Sequence, residues 1–314
     1  MSRIAYFGPA GTFTEMAVLR CVDLAARGEL SAPGLPAGGD PAGIERVAAP
    51  SPIVALGMVA DGSVDLACVP IESSVEGQVT PTVDTLGFGP HLQIFAETDL
   101  AVSFSIAGRV PLPEVRTVAA FPVASAQVRE WVAEHLPAAE IVVASSNSGA
   151  AQDVSLGKAD AAVTTALAAE MYGVPELATS VADVADARTR FVLCGRPGPV
   201  PPRTGSDCTS VVLDVPSRPG SLALAMFEFA LRGIDLTRIE SRPKRTALGE
   251  YVFHLDCVGH IDDPAVAEAL GALHRVCDDV RFLGSWPRPA GGGVAPPERG
   301  DSARWLDALR KGDR

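Results

Sequence analysis

The run Leu66-Ala67-Cys68-Val69-Pro70-Ile71 is unbroken apolar sequence that stops at Glu72-Ser73-Ser74. A strand with one wet face alternates polar and apolar residues, whereas a continuous run suits a parallel strand covered on both faces. That restricts the first part of the chain to an α/β fold. Open α/β sheets bind ligands at the carboxyl ends of their strands, which makes Glu72-Ser73-Ser74 a candidate site. The N-terminus agrees: Ile4 to Phe7 reads as a strand, Gly8-Pro9-Ala10-Gly11 as a tight turn, and Thr12 with Glu15 as a capping box. Phe13, Ala17, Cys21 and Leu24 then form a helical stripe. A glycine turn feeding a helix start aims backbone N–H groups and the positive dipole end at one spot, a ready anion site.

Further along, Gly28 to Gly43 is rich in glycine and proline and reads as a mobile surface loop without a role. Ser51-Pro52 opens a helix that Asp61-Gly62 closes, and Thr80-Pro81 opens another containing Val83 and Leu86. Leu92 to Glu97 and Leu100 to Ile106 read as strands leaving a first lobe. A second β-α series follows: strand Val115 to Ala119, helix Ala124 to Leu136, strand Glu140 to Ala144, a helix capped by Asn147, strand Ala161 to Val163, and helix Ala166 to Tyr172. The chain then returns through Asp183 to Thr189-Arg190-Phe191, which runs into an apolar strand. Two series with a returning strand predict two lobes around a cleft, lobe 1 about 1–107 plus 183–196 and lobe 2 about 108–182.

The proline-rich stretch Arg196 to Asp207 is a semi-rigid linker. It separates a first domain, 1–196, from a second domain at 208–286, with 197–207 between them and a tail at 287–314. From Thr209 the order is β-α-β-β-α-β: strand Val211 to Val215, a helix with Leu222, Met226, Phe229 and Gly233 on one face, strands Leu236 to Glu240 and Glu250 to Val258 joined across Arg245-Thr246-Ala247-Leu248-Gly249, a helix from Asp263-Pro264 burying Val266, Leu270, Leu273 and Cys277, and strand Val280 to Leu283. This is the ferredoxin-like arrangement. The tail starts rich in glycine and proline and ends in a short helix, Ser302 to Leu309.

A chain of 314 residues accommodates about two domains, and its net charge of −12 excludes a nucleic-acid partner. An anionic ligand must therefore be drawn in by locally placed cations such as Arg188 and Arg190, whose forks suit carboxylates. The first residues read as a strand rather than a signal peptide, and no apolar run is long enough to span a bilayer. The six cysteines, without Cys-x-x-Cys spacing, read as reduced buried thiols of a cytoplasmic protein. His254 and His260 fall on one face of a strand and Cys257 on the other, so no metal site is expected there.

Tyr6-Phe7-Gly8-Pro9-Ala10-Gly11-Thr12-Phe13-Thr14-Glu15, Val69-Pro70-Ile71-Glu72-Ser73-Ser74-Val75-Glu76-Gly77 and Thr189-Arg190-Phe191, in that order, resemble the signature set of the prephenate dehydratases. The C-terminal segment resembles the ACT regulatory module of that family. The resemblance implies a two-lobed catalytic domain like the type II periplasmic binding proteins. It also implies loss of carbon dioxide and water from prephenate to give phenylpyruvate in phenylalanine biosynthesis, needing neither metal nor organic cofactor. It makes Thr189 a positioned donor or proton relay to the leaving hydroxyl and Arg190 the carboxylate clamp. Glu72 is open between proton donor and ion-pair partner of Arg190. Thr12, Thr14, Ser73, Ser74, Gly77, Phe191, Ser146, Asn147 and Thr165 become substrate contacts. Two stretches depart from the pattern: Ser73 stands where the family has asparagine, and Ala120-Phe121-Pro122-Val123 where many members have Ser-His-Pro-Gln. A histidine acid is therefore not expected, Gln127 remains further along, and His135 reads as a surface residue.

In the ACT-like segment, Gly220-Ser221-Leu222-Ala223 occupies the place of the family's Gly-Ala-Leu-Leu, and Glu240-Ser241-Arg242-Pro243 matches its Glu-Ser-Arg-Pro. By resemblance these residues hold the regulator L-phenylalanine between paired modules of a homodimer or homotetramer. Arogenate dehydratase and a non-catalytic amino-acid sensor are the alternative functions.

Overall fold

The computed structural model describes residues 2–35, 37–244, 249–289, 293–297 and 300–313. The chain forms two compact units, the first made of Met1–Thr82 and Thr98–Cys194, the second of Val83–Glu97 and Gly195–Arg314. The predicted turn residues Arg245 to Leu248 lie outside the described residues.

In order, the elements of the first part are β1 (Ser2–Phe7), α1 (Phe13–Ala26), β2 (Ile44–Ala49), α2 (Pro52–Ala60), β3 (Leu66–Ser73), β4 (Gly77–Gln78), α3 (Thr80–Phe88) and β5 (Gln93–Ala101). One sheet has the order β2-β1-β3, then β11 (Arg188–Gly195), then β5, with β4 paired to β3. β1 runs parallel to β2 and to β3. Leu66 to Val69 are fully buried, as their unbroken apolar run requires. The second lobe holds β6 (Ser105–Gly108), β7 (Thr117–Ala120), α4 (Pro122–Gln127), α5 (Arg129–His135), β8 (Glu140–Val143), α6 (Asn147–Ser155), β9 (Ala161–Thr164), α7 (Ala166–Met171) and β10 (Glu176–Ala178), with sheet order β10-β6-β9-β7-β8. Alternation sorts its strands into two cores. Ile106, Val118, Ala120 and Val163 pack with Val128 and Val132, and Ala107, Ala119 and Ala162 pack with Ala150, Val154 and Ala169.

Three local expectations are corrected. The predicted helix Ala124 to Leu136 is two, broken at Val128, whose side chain is buried in the lobe core. Asp183 restarts the second by accepting from Glu130 N and Trp131 N, each at 3.0 Å. The stretch from Gly28 to Gly43 is anchored, because Leu30, Ala32 and Leu35 are buried and Gly38 N donates to Ala25 O at 2.7 Å. The helix after Ala144 is capped by Ser146, not Asn147, through a bond from Gly149 N at 2.8 Å.

The second unit contains β12 (Asp207–Asp214), α8 (Ser221–Ala230), β13 (Leu236–Pro243), β14 (Tyr251–Val258), α9 (Pro264–Val276), β15 (Asp279–Pro287) and α10 (Gly300–Lys311). The order β13-β14-β12-β15, antiparallel throughout, is that of a split β-α-β fold. One sheet face packs Val211, Leu213, Leu255 and Cys257 under α8 and α9. The buried face of α9 is built from Ala265, Val266, Ala269, Ala272 and Leu273, with Leu270 and Cys277 only half-buried, a shift from the expected stripe.

The opposite sheet face is polar and meets the Val83–Glu97 segment of the same unit. Arg242 holds Asp84 through two bonds of 2.8 and 3.2 Å, and Arg281 donates to Leu86 O and Gly89 O, both at 3.0 Å. A Cβ on Gly87 would lie 2.7 Å from His254 Nε2, so glycine is what admits the imidazole there. Burial, followed by the positive charge of Arg238, pushes His254 down to about 3 despite the opposing carboxylates of Asp256 and Asp84. The folded unit holds this ring neutral, while the unfolded chain binds a proton below about 6.5. Stability is therefore expected to fall as pH drops from about 6.5 towards 3, by on the order of 4 kcal/mol in total. Urea midpoints measured across that window should show the decline, and His254→Leu should flatten it. Parallel profiles for variant and wild type would contradict the assignment.

All six cysteines are free, and among the described residues no helix is long and apolar enough to cross a membrane.

Candidate active site

Within the first unit, a cavity of about 780 Å³ opens between the two lobes. From the first lobe it is lined by Phe7, Gly8 and Pro9 at the end of β1, by Thr12, Phe13 and Thr14 at the start of α1, by Ala48, Ala49 and Pro50 at the end of β2, and by Pro70, Thr189 and Phe191. The second lobe contributes Phe121, Val123, Ser145, Ser146 and Asn147. Two helix N-termini therefore face one space. Thr12 caps α1 by accepting from Glu15 N, and Ser146 caps α6. The first-turn N–H groups of each helix have no carbonyl partner within the helix. No lysine, arginine, histidine, aspartate or glutamate is among the described residues lining the cavity. The Asn147 Oδ1 atom is buried without a hydrogen-bond partner among the described residues, so this wall asks for a donor.

Around β11, alternation sets the roles of neighbouring side chains. Thr189 and Phe191 reach the cavity, and Arg190 between them falls on the other sheet face, where it meets Glu72 at 3.8 Å. Glu72 is 43% exposed and Arg190 17%. Neither lines the cavity, and neither do Ser73, Ser74, Gly77 or Thr165. These residues have other occupations. Ser73 Oγ accepts from Val75 N and Glu76 N, each at 3.3 Å, which closes the β3–β4 turn at Gly77. Ser74 grips Arg188 twice at 2.9 Å, donating its N–H to Arg188 O and accepting Arg188 N on its hydroxyl. The Glu72-to-Gly77 stretch thus fixes the start of the strand that carries Thr189. Thr165 is buried, caps α7 and donates to Gly11 O at 2.7 Å.

The Glu15 carboxylate accepts from Gly11 N at 2.7 Å and from Arg46 Nε at 3.1 Å, which holds the Gly8–Gly11 turn against α1. Burial, helped by the Glu15 charge, pushes the Tyr6 phenol beneath this turn up to about 12, so it stays protonated. Gln127 donates to Glu76 Oε1 at 3.4 Å, and His135 is exposed and stacks on Trp131. Lining residues outside the expected substrate contacts include Ala48 to Pro50 at the end of β2, Pro70, Ser145, and the apolar wall of Phe121 and Val123.

In the second unit, a cavity of about 450 Å³ is lined by Val215 to Pro219, Ser221, Leu222, Lys244, Gly249 to Tyr251, Phe253 and Asp278. Ser221 and Leu222 open α8 there, and Gly220 precedes them in the left-handed region with φ +84°. Glu240, Ser241, Arg242 and Pro243 lie on β13 and do not line this cavity; Arg242 is engaged with Asp84. His254, Cys257 and His260 are each buried, and His260 Nε2 sits 2.9 Å from Pro201 O. No cluster of three metal-ligating side chains occurs among the described residues.

The fold and site define a two-lobed α/β domain with a cavity between its lobes, followed by a ferredoxin-like module. The prephenate dehydratase family model matches residues 4–199, and the ACT domain model matches 209–275. A prephenate dehydratase of Mycobacterium sp. (strain JLS) is 57% identical over 99% of this chain and 97% of its own length. One from Mycobacterium tuberculosis is 55% identical over 99% and 95%. The crystal structure of prephenate dehydratase from Arthrobacter aurescens in complex with L-Phe superposes with a TM-score of 0.84 at 37% identity, covering 99% of this chain and 100% of that one. The chain belongs to the prephenate dehydratase family.

Proposed function

We propose that the 780 Å³ cavity binds the prephenate dianion and converts it, with one proton, to phenylpyruvate, carbon dioxide and water. The observation that carries this reading is the convergence of two helix N-termini and Thr189 on a single cavity. The starts of α1 and α6 each offer free N–H groups and a positive dipole end, one for each carboxylate. With no cationic side chain among the described lining residues, these backbone sites take the role assigned from the sequence to arginine. Arg190 and Glu72 then act as an ion pair that supports β11 from its other face. The ring hydroxyl donates to Asn147 Oδ1 and accepts a hydrogen bond from Thr189. The ring carboxylate leaves as carbon dioxide, its bonding electrons aromatise the ring, and the C–O bond breaks with the hydroxyl taking the proton as water. A threonine hydroxyl is too weak an acid to ionise, so Thr189 donates a hydrogen bond or relays a proton from solvent. Phe121 and Val123 keep the ring's surroundings apolar.

The second cavity takes L-phenylalanine as regulator. Its carboxylate would lie at the α8 start near Ser221, its ammonium near Glu250 or Asp278, and its ring against Leu222 and Phe253. Pairing of such modules, which the family resemblance implies, makes the protein a homodimer or homotetramer, acting in the cytoplasm without nucleic-acid or membrane partners. Phenylpyruvate formation from prephenate and, in parallel, phenylalanine formation from arogenate, each with and without added phenylalanine, tests the reading. Turnover of prephenate that responds to phenylalanine is the expected result. Preference for arogenate, or no turnover of either substrate, would overturn it.

A further inference from the structure

The Gly8–Gly11 turn is held from both lobes. Its own lobe supplies Glu15, which accepts from Gly11 N at 2.7 Å. The opposite lobe takes the two consecutive carbonyls: Ser148 on α6 donates to Ala10 O, and Thr165 at the start of α7 donates to Gly11 O at 2.7 Å. Both hydroxyl residues are fully buried, and neither lines the cavity. The fit leaves no spare room, since Gly11 has φ +83° and a Cβ there would lie 2.7 Å from Ser148 Oγ and 3.0 Å from Ala168 Cβ. Two further contacts support the joint. Phe13 packs edge-on against Phe104 at 5.5 Å, and Thr164 donates to Asn147 O at 2.7 Å, tying the start of α6 to the end of β9.

We infer that Ser148 and Thr165 are positioning residues for the reaction, a pair of hydroxyl latches that set the separation of the α1 and α6 N-termini. This rests on the reading that those termini hold the substrate's carboxylates. The turn leads directly into Thr12, and Ser148 follows directly after Ser146-Asn147, so each latch acts within a few bonds of a cavity-lining group. Two anion sites on separate lobes bind a rigid dianion well only at one spacing, and a loosened joint must be reordered at each binding event.

The test uses Ser148→Ala, which leaves the Ser146 cap of α6 in place, Thr165→Ser, which keeps the donor, and the double variant Ser148→Ala with Thr165→Val. Two readouts are taken: steady-state kinetics on prephenate, and amide hydrogen exchange of the peptide spanning 8–14. Ser148→Ala is expected to raise KM about fivefold and the double variant about twentyfold, with kcat changed less than about threefold. Thr165→Ser should match the wild type. Exchange at 8–14 should accelerate in Ser148→Ala while its melting temperature stays within a few degrees. Unchanged KM and unchanged exchange in Ser148→Ala would overturn the latch even if the double variant failed to fold. If the wild type turned over no prephenate, the cavity reading would fail, and exchange alone would decide the latch: faster exchange upholds it and unchanged exchange removes it.

Discussion

Replacing Thr189 by alanine is expected to lower kcat on prephenate by about two to four orders of magnitude, the usual reach of one acid-base or donor group. Thr189 faces the cavity from a strand whose start is gripped twice by Ser74, so the backbone that carries it is held in one place. Alanine removes the donor and leaves that grip intact. Because the proposed mode seats the carboxylates on the helix N-termini, KM should move little. Phenylalanine binding, in a separate unit, should not move. Thr189→Ser keeps the donor and should retain activity within about tenfold of wild type. Stopped assays for phenylpyruvate measure both variants. A Thr189→Ala enzyme within threefold of wild type would take this residue out of the mechanism.

The second large effect concerns stability. Arg238 on β13 makes two bonds to Asp256 on β14, at 2.9 and 3.1 Å, and Ser210 donates to the same carboxylate at 2.7 Å. The two ionic side chains are only 8% and 1% exposed. Arg238→Ala would leave the Asp256 carboxylate buried without its counter-charge, a loss of about 3–5 kcal/mol. Replacing both partners by apolar residues of similar size should recover most of it, because the desolvation of both charges then disappears. Denaturant midpoints of the two variants, read by tertiary-structure signals of the C-terminal unit, separate these cases. A single variant within 1 kcal/mol of wild type would mean that water reaches the carboxylate.

Much of the fold was legible because its signals are local. The apolar run of β3, the glycine turn into α1 and the β-α-β-β-α-β order each announce themselves within a few residues. What escaped depends on distant partners. The break at Val128 is decided by Asp183, which lies 53 residues beyond Glu130 in the chain and accepts from the first N–H groups of the second half of the helix. The Arg242 contact with Asp84 joins residues 158 apart, and no spacing rule links them. Strand β2 was hidden by the glycine- and proline-rich stretch before it, and with it the Ala48 to Pro50 wall. The site residues divide the same way. Thr12, Thr14, Ser146 and Asn147 sit at helix starts, where sequence marks them, and the cavity gathers them. Ser73, Ser74 and Thr165 are polar too, but backbone groups already engage their hydroxyls, and Gly77 is taken up in the β3–β4 pairing, which only coordinates reveal.

The position of prephenate bound to the Thr189→Ala protein, determined by crystallography at saturating substrate, tests the central claim most directly. One carboxylate is expected at the first turn of α1, the other at the first turn of α6, and the ring hydroxyl between Asn147 and residue 189. Substrate lodged instead beside Glu72 and Arg190, with the lobe cavity holding only solvent, would contradict it.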